Sequence, residues 1–144
     1  MLAATVLAAT GVAACHHGGP VKAVSPPAAV VSGAFDAISV TAASTQRSAL
    51  VPPALRQGLA PLLIARTVDR PGPPSDYGLD APLATLAYQL APAPPLMVTI
   101  GGTNFDRSLF YVQRAGDPTV YAVLAEAVRP VLALVGIQVS PPAG

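Results

Sequence analysis

Between Leu83 and Leu124 the chain alternates apolar and polar residues in four successive runs, each broken by turn-forming residues. In "LATLAYQLA", Leu86, Tyr88 and Leu90 fall on one face and Thr85, Ala87 and Gln89 on the other. "LMVTI" repeats the pattern with Leu96, Val98 and Ile100, and "SLFYVQR" and "TVYAVL" follow. A period of two belongs to a strand whose faces meet different surroundings. Gly101-Gly102-Thr103-Asn104 and Ala115-Gly116-Asp117-Pro118 read as turns. Strands joined so closely pair with their sequence neighbours, which makes an antiparallel meander.

The flanks are less regular. "DAISVTA" is a further half-buried strand, with Ile38 and Val40 on its apolar face. "PPALRQGLAPLLIA" sets Leu55, Leu59, Leu62 and Leu63 at helical spacing, with Pro53 suited to a first turn. Pro61 lacks a donor and clashes one turn back, so the expectation is a short, broken helix. "ARTVD" begins a strand, and "RPGPPSDYGLDAP" is an extended turn region. In "LAEAVRPVLALV", Leu124, Val128, Val131 and Val135 share one helical stripe, Gly136 stands as a cap, and Pro130 either kinks the helix or marks its start. The fold expected is α+β: an antiparallel meander of about four to six strands packed with one or two short helices. It occupies a single domain over residues 35–139, followed by a frayed tail at 140–144.

The amino terminus has a different character. Leu2 to Ala14 is an apolar run too short to span a membrane, for which about 20 residues are needed. Val12-Ala13-Ala14 are small residues just ahead of Cys15, the only cysteine of the chain. The order Val12-Ala13-Ala14-Cys15 resembles the bacterial lipobox, in which the cysteine sulfur receives a diacylglyceryl group and the peptide is cut before it. Residues 1–15 thus read as a lipoprotein-type signal peptide with Cys15 as the point of lipid attachment. Such signals carry Lys or Arg near their start, and the first here is Lys22, so this reading expects a start upstream of Met1. The rival reading is a buried amino-terminal helix with a core cysteine. Residues 16–34, punctuated by Gly18, Gly19, Pro20, Pro26 and Pro27, read as a disordered tether that lifts the domain off the headgroups.

Charge and residue inventory narrow the chemistry. The net charge is +1 with no basic run, and nucleic acid needs clustered cations, so it is not an expected partner. Beyond the tether the chain has no His, Cys, Lys or Trp. That excludes Ser-His-Asp and Cys-His nucleophiles, a Schiff-base lysine and His-ligated zinc within the domain. The adjacent His16 and His17 lack a third nearby ligand. The carboxylates, among them Asp36, Asp80, Asp106 and Asp117, mostly sit in turns beside Gly or Pro, where they serve turn geometry. The expectation is no enzyme, no cofactor and no metal. Tyr77, Tyr111, Arg114 and Tyr121 form the candidate binding surface, since Tyr and Arg carry binding hot spots. The competing reading gives these four a purely architectural role.

The succession "YGLDAPLATLAYQL", "VTIGG" and "SLFYVQRAGDPTVYAV" resembles the bacterial domain of unknown function 4340. The matching positions are Tyr77, Gly78, Leu79, Asp80, Pro82, Ile100, Gly101, Tyr111, Val112, Arg114, Val120 and Tyr121. The resemblance covers residues 76–124. It departs at "LAPAPPL", where a Gly-containing hairpin is usual, and in presenting a single short copy of a unit that often repeats. It implies an exported envelope protein, lipid-anchored to the membrane and facing the periplasm or outside. It also implies an envelope protein complex or an ABC-type transporter as partner, and brings no activity. The function expected is a binding or scaffolding module; the alternative is a ligand-binding accessory protein of an ABC-type transporter.

Overall fold

The computed structural model describes residues 28–141. Its elements are β1 (Ala29–Val31), β2 (Ala37–Ala42), β3 (Ser48–Leu50), α1 (Pro53–Arg56), β4 (Leu62–Val68), a 3₁₀ turn (Pro74–Tyr77), β5 (Ala84–Gln89), β6 (Leu96–Thr103), β7 (Leu109–Arg114), β8 (Val120–Leu124) and α2 (Ala125–Ala133). All eight strands join one antiparallel sheet in the order β1-β4-β8-β7-β6-β5-β2-β3. The α+β class holds, with a sheet larger than the four to six strands expected. The consecutive run β5-β6-β7-β8 is the meander read from the sequence.

The sheet is strongly curled. α2 lies in contact with β2, β7 and β8. In the sheet order β8 and β2 are four steps apart, about 19 Å in a flat sheet. A helix is only about 10–12 Å across with its side chains, so both strands reach it only if the sheet wraps around it. Inside the curl the core gathers Ile38 and Val40 of β2, Leu86 and Tyr88 of β5, Val98 and Ile100 of β6, and Phe110 and Val112 of β7. Val128, Val131 and Leu132 of α2, with Val135 beyond it, close the core. The Tyr88 hydroxyl, buried among them, donates to the Leu59 carbonyl oxygen at 3.0 Å.

Several elements differ from expectation for identifiable reasons. β1 lies inside the stretch read as a 16–34 tether, and Val30 and Val31 are buried, so the sheet begins ahead of residue 35. α1 is a single turn, and Leu62 and Leu63 belong to β4. β5 ends at Gln89, leaving Leu90 exposed. Leu124 ends β8 and is exposed, while α2 starts at Ala125 and carries Pro130 inside it. The cap at Gly136 is as expected. With φ +79°, Gly136 donates to the Ala133 carbonyl and Ile137 to the Leu132 carbonyl, the paired bonds of a Schellman motif.

Gly101 and Gly102 do not form a turn. β6 runs through them to Thr103, and Ile100 faces Val112 while Thr103 faces Phe110. Three steps on β6 therefore match two on β7, which is a bulge. The glycines also admit a neighbour: a Cβ on Gly101 would collide with the Tyr77 carbonyl oxygen. Gly78, at φ +69°, ends the 3₁₀ turn that makes this approach, a conformation open to glycine at little cost, whereas Gly101 does not take a positive φ.

The β5 faces supply a direct test of register. Leu86 is fully buried opposite Val40 and Val98, whereas Thr85 lies on the other face. Leu86→Ala should cost about 2–5 kcal/mol in denaturant unfolding. Thr85→Ala should change stability by less than about 1 kcal/mol. A larger loss at Thr85 would mean the two faces are exchanged.

Candidate functional site

Residues opposite one another in an antiparallel pair project from the same face of the sheet, and successive residues from opposite faces. Tyr121 faces Val112 across the β7–β8 pair, and Arg114 follows Val112 by two. Val112 belongs to the core, so Tyr121 and Arg114 lie on the concave side, where Tyr121 packs against the core edge. Tyr111 faces Ala122 on the convex side. The sheet therefore divides the four residues expected to form one surface. Val120, two positions from Ala122, is also convex; it is buried, but outside the cluster that holds Leu86 and Val98.

On the concave rim, Arg114 and Tyr121 gather around the β7–β8 turn. Asp117 organises it. Its Oδ1 accepts the Thr119 N–H at 2.9 Å and its Oδ2 accepts the Tyr121 hydroxyl at 2.8 Å. Gly116 turns the chain at φ +82°. The Thr119 amide, then the Tyr121 hydroxyl, hold the Asp117 carboxyl below its ordinary value, and the same bond raises the Tyr121 phenol. Arg114 is not a free surface cation, because its Nη1 donates to the Val30 carbonyl oxygen at 3.4 Å and so ties β1 to the end of β7. A shallow depression of about 380 Å³ opens beside these groups, lined by Thr99, Gln113, Arg114, Asp117 and Pro118.

On the convex side, Tyr77 meets Tyr111 edge to face, with ring centroids 5.0 Å apart and planes at 65°. The Tyr77 hydroxyl accepts the Gly72 N–H at 2.9 Å. The first contact fastens the 69–83 connection to the sheet and the second folds that connection on itself, so Tyr77 and Tyr111 do architectural work here. Cys15 lies outside the described residues, as do His16 and His17.

The β6–β7 tip is a feature the sequence reading passed over. Asn104 Oδ1 accepts the Leu109 N–H at 3.0 Å, and Asp106 Oδ1 accepts both the N–H and the hydroxyl of Ser108. The Ser108 hydroxyl comes first among the groups that hold the Asp106 carboxyl low. Arg107 takes a positive φ of 60°, and its carbonyl oxygen accepts Arg129 Nη2 of α2 at 2.6 Å. This tip presents Phe105 almost wholly to solvent, 97% exposed. The "TNFDRS" stretch with its Asn, Asp and Ser carried the turn signal one step beyond the glycines. Among the described residues no group of three His, Cys, Asp or Glu side chains is placed to hold a metal ion. No helix among them is long and apolar enough to cross a membrane.

Asp117 gives the hairpin a pH dependence of defined sign. Its folded carboxyl sits below the ordinary 3.8, so its contribution to stability is fully present above that value and is lost as pH falls through the lower folded value. Asp117→Asn, which keeps an acceptor for Thr119 but loses the charge, should flatten the acid limb of a thermal-midpoint profile. An acid limb as steep as that of the wild type would place the titration elsewhere.

The chain matches no protein-family model, and no curated protein or solved structure is significantly similar to it.

Proposed function

We propose that this chain is a lipid-anchored domain of the cell envelope, exported and held at the membrane through an acyl group on Cys15, that acts by binding or scaffolding. The observation that carries this reading is the order of its amino terminus. An apolar run ends in small residues, Cys15 follows at once, and a Gly- and Pro-rich stretch leads to the first strand at Ala29. One acyl chain binds a bilayer marginally and two or three hold it stably, so multiple acylation at Cys15 suffices as an anchor.

The use of polar groups in the domain supports a surface role. Asp117, Tyr121, Arg114, Asn104, Asp106 and Ser108 are each engaged in their own turns or in the backbone of neighbouring strands. What such a domain offers a partner is a rigid shape. The resemblance to the domain of unknown function 4340 suggests that the partner is an envelope complex or an ABC-type transporter. A second reading, a ligand-binding accessory protein of such a transporter, draws on the depression beside Arg114.

Two experiments test this. Cys15→Ser should abolish incorporation of a labelled fatty acid and release the protein from membranes, whereas equal labelling of the variant would end the anchor reading. Arg114→Ala should lower the thermal midpoint only slightly, since it removes one long hydrogen bond worth about 1 kcal/mol. Reduced recovery of partners from detergent-solubilised membranes by that variant would locate the binding surface at the β7–β8 rim. Full recovery would exclude that rim.

A further inference from the structure

The tip of the β6–β7 hairpin holds the most exposed large apolar side chain among the described residues, and it holds it rigidly. Phe105 is 97% exposed on a turn fixed by Asn104, Asp106 and Ser108 from within and by Arg129 from α2. A turn this heavily bonded to itself has no need of an aromatic residue at its apex. Other exposed apolar side chains continue from it. The Asn104 N–H donates to the Leu109 carbonyl oxygen, Leu109 faces Leu124, and Leu124 is 47% exposed. Leu63, 44% exposed, precedes Ile64, which faces Val123. Phe105, Leu124 and Leu63 thus follow one another across the β6–β7 tip, β8 and β4.

The place where the described chain begins says what this side faces. The Ala28 carbonyl oxygen accepts the Ile64 N–H at 2.8 Å, so residue 28 lies against β4. In the sheet order β1 is three spacings from β7, about 14 Å. Residues 16–27 separate it from Cys15, and even fully extended they reach no more than about 47 Å. An acyl group on Cys15 therefore keeps the strands next to this tip within a short reach of the bilayer.

We propose that the β6–β7 tip is a membrane-contact surface, with Phe105 entering the interfacial layer of the bilayer and Leu124 and Leu63 beside it. This rests on the anchored reading of Cys15. A Phe ring, like Leu, suits the apolar side of that layer, where such side chains bury at the boundary between headgroups and acyl chains. The Arg107 side chain makes no hydrogen bond among the described residues and is free to meet a lipid phosphate. Asp106 precedes it, and Glu126 and Arg129 line the neighbouring depression, so two carboxylates and two guanidiniums balance and the contact is apolar in origin, with weak dependence on salt. Two short contacts, the acyl group and the tip, would together fix the orientation of the domain on the membrane, which a single tether cannot do.

The chain contains no Trp, so Phe105→Trp introduces one indole whose emission reports on the tip alone. The full chain carrying it is mixed with vesicles of phosphatidylglycerol and phosphatidylcholine. On binding, the emission should move to shorter wavelength and quenching by aqueous acrylamide should fall several-fold. In the unacylated Cys15→Ser background, Phe105→Ser should lower vesicle partitioning on the order of tenfold at an unchanged thermal midpoint. Added salt should change neither result greatly. An indole quenched as freely on vesicles as in solution overturns the proposal. So does a Phe105→Ser chain that partitions normally but sediments as a smaller species, since the tip would then be a contact between copies. Loss of the anchor reading alone shows as absent fatty-acid label on the wild-type chain and leaves the quenching readout intact.

Discussion

The contact between α2 and the concave face of the sheet is the one on which the remaining structure depends. Val128, Val131 and Leu132 present an apolar stripe to the adjacent pair β7 and β8 and also to β2, three places beyond β7 in the sheet. Without the helix, the inner faces of β2, β5, β6 and β7 would lie open to water, a loss of about 25 cal/mol for each Å² of apolar surface left uncovered. The helix is placed from both ends. Its first amide, on Ala125, donates to the Ser108 carbonyl at 2.9 Å, and Gly136 with Ile137 closes its last turn. Pro130 is tolerated because the partner it deprives of a bond, the Glu126 carbonyl, belongs to an exposed residue at the start of the helix.

That arrangement explains how the domain keeps a core while carrying so few charges. No polar or charged residue among those described is buried, apart from tyrosine counted with the core. The polar handle of the core, the Tyr88 hydroxyl, is paired with a carbonyl, which avoids the cost of an unmade bond, whereas Arg129 Nε is buried without a hydrogen-bond partner among the described residues. Carboxylates and amides are instead concentrated at the ends of strands, where Asp106 and Asp117 order two of the three hairpins of the meander. Turn chemistry of this kind leaves the domain stiff at its tips, and a stiff tip is the place from which a single side chain can act on something outside the protein.

The meander was legible because one face is dry and the other is wet, and period two follows directly from that difference. Other parts were hidden for physical reasons. β1 is three residues long and sits in Ala- and Pro-rich sequence, so nothing in its own pattern separates it from a linker; only its pairing with β4 makes it a strand. Leu62 and Leu63 fit a helical stripe and a strand equally well, and an apolar run that short does not decide between them. Gly101 and Gly102 carry the composition of a turn but serve a bulge, because what they accommodate, the Tyr77 carbonyl, comes from a distant part of the chain. The candidate surface divided for a similar reason. Residue type brought Tyr111, Arg114 and Tyr121 together, whereas register, which depends on how β7 meets β8, set Tyr111 on the opposite face. The exposed Phe105 was visible in the sequence, but one aromatic residue beside a turn gives no sign of its burial until the turn is placed.

The strand order also bears on how the chain reaches this state. Among themselves β5, β6, β7 and β8 pair with sequence neighbours across short loops, while β2 with β5 and β4 with β8 join segments far apart in the chain. Closing the short loops costs little entropy, and closing the long ones costs more before any contact repays it. The meander is therefore the natural nucleus, and the amino-terminal strands are the last to be recruited. In a chain that emerges amino terminus first, β1 to β4 must wait, unpaired on their final edges, for the carboxy-terminal half to supply the surface they complete.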